Sequence, residues 1–396
     1  MNGSNAQVVV LSAVRTAIGK YGGSLKDKPP SELATIVTRE SVSRASIDPK
    51  DVDHVVFGNV IHTDPRDPYV SRVAAVNAGL PVETPALTLN RLCGSGLQAI
   101  VSAAQMIRLG DAQTAVAGGT ECMSRSLYWL PSMRWGQRMN DAAVVDAMNA
   151  ALNDPFENVH MGLTAENLAV KYNISREEQD EFAVESHRRA ISAIKNCRFQ
   201  EQIVPVELKT KEGVTQFATD EHPRPDASVA GMAKLKPAFS KTGTVTAGNS
   251  SGLNDAAGAV VLMDREAAME RGLKPMAKLV AYSVVGVDPQ YMGIGPVPAI
   301  RTVLKRARLG LDEMNVIEVN EAFAAQALSV IKELNLPPDR TNVNGGAIAL
   351  GHPIGASGCL ITVKALYELH RVQGRYALIA LCIGGGQGIA AIFERL

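Results

Sequence analysis

Short, nearly unbroken apolar runs alternate along this chain with longer stretches whose apolar residues recur at helical spacing. Val8-Val-Val-Leu11 is the first run and predicts a buried strand. After the polar, Gly-rich stretch Arg15 to Lys28, Leu33, Ile36, Val37 and Val42 fall on one face of a helix over Glu32–Ala45, with Ser31 as its cap. Val52–Val60 reads as a strand, Arg72–Ala78 as a helix and Ala86-Leu-Thr-Leu89 as another strand. Leu97 to Ile107 is dense in Ala, Val and Ile on nearly every side, which predicts a buried helix ending at Gly110. Thr114-Ala-Val-Ala117 is a further buried strand, closing on Gly118-Gly-Thr-Glu121. Strands alternating with helices predict a mostly parallel sheet covered on both faces.

From about Met123 the texture changes. Tyr128-Trp-Leu-Pro and Arg134-Trp-Gly are irregular and hold both tryptophans. Ser175-Arg-Glu-Glu-Gln opens a charged amphipathic helix through Ile194 with a capping-box start. Lys209 to Thr219 is hairpin-like and Asp220 to Ala230 reads as loop. Residues 123–250 are therefore expected to form an inserted, loop-rich subdomain, the kind of element that carries binding residues.

Regular structure resumes at Ala256–Met263, and the opening pattern then repeats. Met276–Tyr282 matches the first strand, Pro298 to Ala307 is a helix, and Val316-Ile-Glu-Val-Asn320 resembles Val55-Val-Phe-Gly-Asn59. Gly355-Ala-Ser-Gly358, leading into an apolar helix, resembles Gly94-Ser-Gly96. Asn59 and Asn320 lie 261 residues apart, and Ser95 and Ser357 lie 262 apart. Chance similarity of Gly-rich turns competes, but agreeing offsets with matching element order favour a duplicated domain. The expected division is 1–122 plus 251–274 as one half, 123–250 as the insertion and 275–396 as the other half.

Composition narrows the function. At 396 residues the chain exceeds one ordinary core. Lys+Arg and Asp+Glu both number 40, so overall charge gives no support to nucleic-acid or membrane-surface binding. Five cysteines without regular spacing fit a reducing compartment and no disulfide framework, and no CxxC or HxxxH pairing suggests a metal site. Met1 to Gln7 is short and polar, unlike a signal or transit peptide, no apolar run is long enough to span a bilayer, and Glu394-Arg-Leu396 is no peroxisomal address. A cytoplasmic location is expected.

Candidate chemistry gathers at four turns. Cys93 falls between a strand and a helix N-terminus, where unpaired N–H groups and the helix dipole favour a thiolate, and Gly94 and Gly96 leave room for a ligand to approach the sulfur. A small buried hydrophobe is the competing reading. His352, pinned between Gly351 and Pro353, suits the base for that thiol, although a lone histidine is more often structural. Cys382 lies just before Gly384-Gly-Gly386, whose backbone N–H groups suit an oxyanion hole, and it suits a general acid and base; a packed strand cysteine is the alternative. Asn320-Glu-Ala-Phe323 follows a buried strand, and Asn320 suits either a held water or a structural turn. Cys122, Cys197 and Cys359 read as packing residues, and His54, His62, His187 and His370 carry no local signal.

Taken together, these segments resemble the thiolase family over essentially the whole chain. Asn90-Arg-Leu-Cys93-Gly-Ser-Gly-Leu-Gln-Ala99 resembles its nucleophile motif, with Asn320-Glu-Ala-Phe323, Gly351-His-Pro-Ile-Gly-Ala-Ser-Gly358 and Cys382-Ile-Gly-Gly-Gly386 as the others. The resemblance implies a five-layered αβαβα fold of two similar halves with an inserted loop domain. It implies that Cys93 carries the acyl group as a thioester, that His352 activates it and, with a water on Asn320, stabilises a thioester oxygen. Cys382 would move the substrate proton, and the N–H groups of Cys93 and Gly384 would form the other oxyanion hole. Val159-His-Met-Gly162 resembles the short-chain, acetoacetyl-CoA type, in which His160 and Met161 line the pantetheine tunnel. Arg224 and Ser251 match positions that contact coenzyme A, and Leu152, Ala247, Met292, Ala322 and Phe323 match pocket positions. The chain looks most similar to the bacterial β-ketothiolases of polyhydroxyalkanoate metabolism. The resemblance further implies acetyl-CoA and short 3-ketoacyl-CoA as partners, coenzyme A as substrate and product with no permanently bound cofactor, and a homo-oligomer, commonly a tetramer. A medium- or long-chain thiolase, a ketoacyl synthase, a silent acyl-CoA binder and a cysteine hydrolase are the competing readings. The second cysteine before a triple glycine argues against the synthase, and intact motifs argue against the silent binder.

Overall fold

The computed structural model describes residues 6–211 and 213–396. The first five residues of the polar Met1–Gln7 stretch, and Glu212 within the expected hairpin, lie outside them.

Strand β1 (Val8–Thr16) sends Val8 and Val10 into one apolar layer and Val9 and Leu11 into another, as a two-residue period requires. It runs beyond the apolar run at Leu11 because its polar end is buried and paired. Helix α1 (Pro30–Arg44) starts with Pro30 in its first turn; Pro29 stands at the cap without a side-chain bond, so Ser31 is a buried helical residue and not the cap. Then come β2 (His54–Gly58), α2 (Val70–Ala78), β3 (Ala86–Leu89), α3 (Ser95–Leu109) and β4 (Thr114–Cys122). Helix α3 stops at Gly110, whose φ of 82° supplies the left-handed cap.

Between β4 and the next long strand lies the irregular segment. It carries α4 (Met161–Lys171) and α5 (Arg176–Lys195), the latter opened by the expected Ser175–Glu178 capping box, and the hairpin Val206–Thr210 with Gly213–Phe217. The chain then forms β5 (Asn254–Asp264), β6 (Ala277–Gly286), α6 (Pro296–Ala307), β7 (Met314–Val319), α7 (Ala324–Leu334), α8 (Ile354–Arg371), β8 (Tyr376–Ile383) and β9 (Gln387–Arg395).

One sheet has the order β1–β5–β4–β2–β3 and the other β6–β9–β8–β7, with a single parallel bridge from Ile317 to Thr341 where the fifth strand of the first sheet has its counterpart. The two orders are the same. Val9 opposite Lys278 and Val10 opposite Ala277 join the sheets along one edge. The pairing is mixed, which corrects the expectation of a mostly parallel sheet. β2 pairs in parallel with β3 and β4, and β7 with β8, but β5 and β9 return antiparallel beside their neighbours. In the second sheet the cause is the three-glycine turn after β8, too short for a parallel crossover.

Five layers result. α1 and α2 cover one outer face, α6 and α7 the other, and α3 and α8 pack together between the sheets. Strand residues alternate accordingly: Val316, Ile379 and Leu381 face the central helices, while Ile317, Leu378 and Ala380 face the outer ones. A Cβ at Gly96 would collide with the backbone of Cys359, and one at Gly358 with that of Leu97, so these two glycines let α3 and α8 approach.

The irregular segment is tied to β1 by a fully buried ion pair. Arg15 donates to Asp220 through Nη1–Oδ1 at 2.7 Å and Nη2–Oδ2 at 2.9 Å, while its Nε donates to Gln202 Oε1 at 2.7 Å. The Ile18 N–H also donates to Asp220 Oδ1. Removing one partner leaves a buried charge unpaired. Asp220→Ala is therefore expected to lower unfolding stability by about 3–5 kcal/mol, read as a lower denaturant midpoint. An unchanged midpoint would contradict this role.

Candidate active site

Cys93 sits in the short turn Leu92–Gly94 that feeds α3. Leu92 adopts φ of 44°, an uncommon conformation for a side-chain-bearing residue. It is held there by Asn90 Oδ1, which accepts the Leu92 N–H at 2.8 Å, and by Ser95 Oγ, which donates to the Leu92 carbonyl at 2.7 Å and accepts the Arg91 N–H at 2.8 Å. The sulfur lies in an apolar cluster with Ile61, Met123 and Ile354. Burial pushes the Cys93 thiol up to about 11, outweighing the N–H groups of Gly384 and of Cys93 itself that are directed at the sulfur; the Glu121 carboxylate acts in the same upward sense as burial. The resting group is thus a neutral thiol, correcting the expectation that the helix end alone favours a thiolate. Gly94 and Gly96 do not open a path for ligand either: a Cβ at Gly94 would strike Ile383, and Gly96 faces α8.

His352 enters from the other half. Gly351 at φ of 107° abuts the Asn254 side chain, and Asn254 Oδ1 accepts the His352 N–H at 3.0 Å. The ring Nδ1 lies 2.6 Å from Ser357 Oγ, whose own proton goes to the Pro353 carbonyl at 2.9 Å. A proton on Nδ1 satisfies both of these contacts, and it leaves Nε2 as the acceptor that faces the Asn320 amide. Asn320 Nδ2 stands 3.5 Å from that Nε2, and the buried Asn320 Oδ1 has no partner among the described residues. Burial lowers His352 to about 4, so the imidazole is neutral at pH 7.

Cys382 is the last residue but one of β8, fully buried, and burial pushes its thiol far up, with Cys93 close enough to add to the effect. Gly384 follows in a turn whose Gly385 and Gly386 take φ of 77° and 83°. A Cβ on Gly384 would collide with Met161. Met161, Met292, Ala322 and Phe323 form one apolar cluster with Cys382. His160 caps α4, its Nδ1 accepting the Gly162 N–H at 3.0 Å, and stacks on Phe239 at 4.5 Å.

Glu121 places a buried carboxyl beside the site. Its carboxylate accepts from Asn59 Nδ2, the Val60 and Ile61 N–H groups and the Gly355 N–H at 2.8–3.1 Å. Burial raises its pKa to about 8. All four partners are donors, so a proton on this carboxyl would face N–H groups, and the ionised form is the one this geometry fits.

A cavity of about 460 Å³ reaches His352 from the surface. Leu152, His160, Arg224, Ala247, Ser251 and Phe323 line it, whereas Met161, Met292 and Ala322 lie behind that lining, around Cys382. Sequence reasoning missed His187, His222, Met148 and Phe239, which also line it. His187 Nδ1 accepts the Arg224 N–H at 3.1 Å, a contact between a helix and a distant loop with no local signature. Cys122 and Cys359 are buried as expected; Cys197 is exposed at the end of α5 and is no packing residue.

A neutral histidine that lines the cavity, with Cys93 and Cys382 in the apolar clusters directly behind its lining, suits acyl transfer through an enzyme thioester. Family models for the thiolase N-terminal domain match residues 8–266 and for the thiolase C-terminal domain residues 273–395, and the chain belongs to the thiolase family. It is 63% identical to beta-ketothiolase BktB of Cupriavidus necator over 98% of this chain and 99% of that protein. Its fold matches the Bacillus anthracis acetyl-CoA acetyltransferase with a TM-score of 0.97 at 48% identity, covering 99% of this chain and 100% of that one. Human mitochondrial 3-ketoacyl-CoA thiolase in complex with CoA matches with a TM-score of 0.96 at 44% identity, covering 99% and 98%.

Because the Cys93 thiol is raised to about 11, its thiolate fraction grows only as pH climbs towards that value. Alkylation of Cys93 by iodoacetamide, followed by mass spectrometry, is expected to accelerate steadily from pH 7 to 10. A rate already at its plateau at pH 7 would show a resting thiolate instead.

Proposed function

We propose that this chain is a short-chain β-ketothiolase that interconverts two acetyl-CoA with acetoacetyl-CoA and CoA and cleaves short 3-ketoacyl-CoA. The observation that carries the reading is the pair of N–H groups, from Cys93 and Gly384, aimed at a buried sulfur with a second buried thiol beside it.

In this reading His352 Nε2 takes the Cys93 proton as the sulfur attacks the acetyl-CoA carbonyl, so that no free thiolate accumulates. The carbonyl oxygen gains charge against the N–H groups of Cys93 and Gly384. Collapse breaks the carbon–sulfur bond to CoA, whose departing sulfur takes the proton of Cys382. The Cys382 thiolate removes a methyl proton from a second acetyl-CoA, while the His352 imidazolium and a water on Asn320 Oδ1 stabilise the enolate oxygen. The enolate carbon attacks the Cys93 thioester; collapse releases acetoacetyl-CoA, and the Cys93 sulfur recovers its proton from His352. Thiolysis is the reverse, with Cys382 taking the proton of the CoA thiol.

Leu152, His160, Met161, Arg224, Ala247, Ser251, Met292, Ala322 and Phe323 are assigned to binding the CoA substrate. Support comes from their place on the cavity or directly behind it, with the Arg224 side chain exposed at its mouth. CoA enters as substrate and leaves as product. The proposed domain division is 1–122 plus 251–274, 123–250 and 275–396, supported by the shared strand order. A cytoplasmic homotetramer is the proposed state. No helix among the described residues is long and apolar enough to cross a membrane. The outer edge of β3 has no neighbour among the described strands, and Tyr128, Trp129 and Trp135 are exposed, the last at 89%.

CoA-dependent thiolysis of acetoacetyl-, 3-ketovaleryl- and 3-ketohexanoyl-CoA beside a long-chain 3-ketoacyl-CoA tests the reading. Cleavage of the short substrates is expected, abolished by Cys93→Ala and lowered about 10²-fold or more by Cys382→Ala. Preference for the long chain would overturn the short-chain assignment, and no cleavage by folded protein would overturn the enzyme.

A further inference from the structure

The cavity and the apolar cluster around Cys93 share Met123, Met148, Leu152, Leu253 and Ile354. On the thiolase reading, cleavage of a 3-ketoacyl-CoA leaves the third carbon and everything beyond it attached to Cys93. Cys93 gives its proton to His352 and forms a bond to that carbon, the bond between the second and third carbons breaks, and acetyl-CoA departs with a proton from Cys382. The acyl tail then lies against this wall.

Four of the five wall residues are held. Ile354 opens α8 and is fully packed. Met123 is buried, and its sulfur lies 3.5 Å from the Asn254 N–H. Leu253 leads directly into β5. Leu152 is anchored by its backbone: its N–H donates to Met148 and Asn149, and its carbonyl accepts the Met161 N–H at 2.9 Å. Met148 sits on the five-residue helix Ala147–Ala151, in the irregular segment; its backbone is anchored too, with its N–H on Asp146 Oδ1 at 3.0 Å, but it is the one wall residue whose side chain is both unbranched and only partly buried. A methionine there can change rotamer without breaking a polar contact.

We propose that Met148 is the adjustable end wall of the acyl chamber and sets the length of chain that Cys93 accepts. A shorter side chain opens the chamber to a propyl tail, and a bulkier one closes it. One methylene in an apolar pocket is worth roughly 10–200-fold in discrimination.

The test is the ratio of kcat/KM for 3-ketohexanoyl-CoA to that for acetoacetyl-CoA in wild type, Met148→Ala and Met148→Phe. Met148→Ala is expected to raise the ratio about tenfold and Met148→Phe to lower it by a similar factor. Either variant decides the matter if the other folds poorly. Ratios unchanged in an active protein overturn the proposal and leave the thiolase reading intact. A wild type that cleaves neither substrate overturns both.

Discussion

The close crossing of α3 and α8 between the two sheets is the contact from which the rest of the molecule takes its geometry. Both helices are apolar on several sides, so neither is stable in water alone, and each needs a sheet on one side and its partner on the other. Gly96 and Gly358 remove the side chains that would hold them apart. The turns at their N-termini carry Cys93 and, two residues before α8, His352. The packing that buries a central hydrophobic layer therefore also brings two reactive groups from distant parts of the chain to one place. Glu121 locks that meeting, since its carboxylate accepts N–H groups from the end of β2 and from the start of α8.

Burial sets the electrostatics of the site as firmly as it sets the geometry. Desolvation holds both thiols protonated and His352 neutral, so the resting arrangement carries no charge on any of the three. A neutral thiol next to a neutral base is stable in a low-dielectric pocket, where a thiolate–imidazolium pair would need compensation. The N–H groups of Cys93 and Gly384 are already directed at the sulfur. The histidine tautomer with its proton towards Ser357 leaves the basic nitrogen on the Asn320 side of the ring.

The irregular segment between β4 and β5 completes the cavity and lends the sheets a short parallel pairing of Ile203–Val204 with the end of β1. Arg15–Asp220 fastens it to the first half, and the Ser250–Phe323 bridge with the Ser251 N–H to the Ala322 carbonyl fastens it to the second. It spans the two halves and presents His160, Arg224 and Met148 to the space between them.

Much of this was legible in the order of residues. Alternating apolar runs mark the strands, since a residue buried on either face of a sheet is apolar unless a partner satisfies it. Two sets of turns about 260 residues apart mark the duplication, and Gly-His-Pro and Cys-Ile-Gly-Gly-Gly mark two of the reactive positions. Tertiary structure alone decided other points. Arg15 remains in a strand because a partner 205 residues away neutralises it. Gly94 and Gly96 serve packing because particular side chains and helices occupy the space beside them. Cys93 is a thiol and not a thiolate because the depth of its burial exceeds the pull of a helix end. His187, His222 and Met148 face the cavity through contacts with residues far off in the chain. Periodicity and turn chemistry are local properties that the sequence carries in itself; ionisation, partnership and access depend on what long-range folding places within a few ångströms.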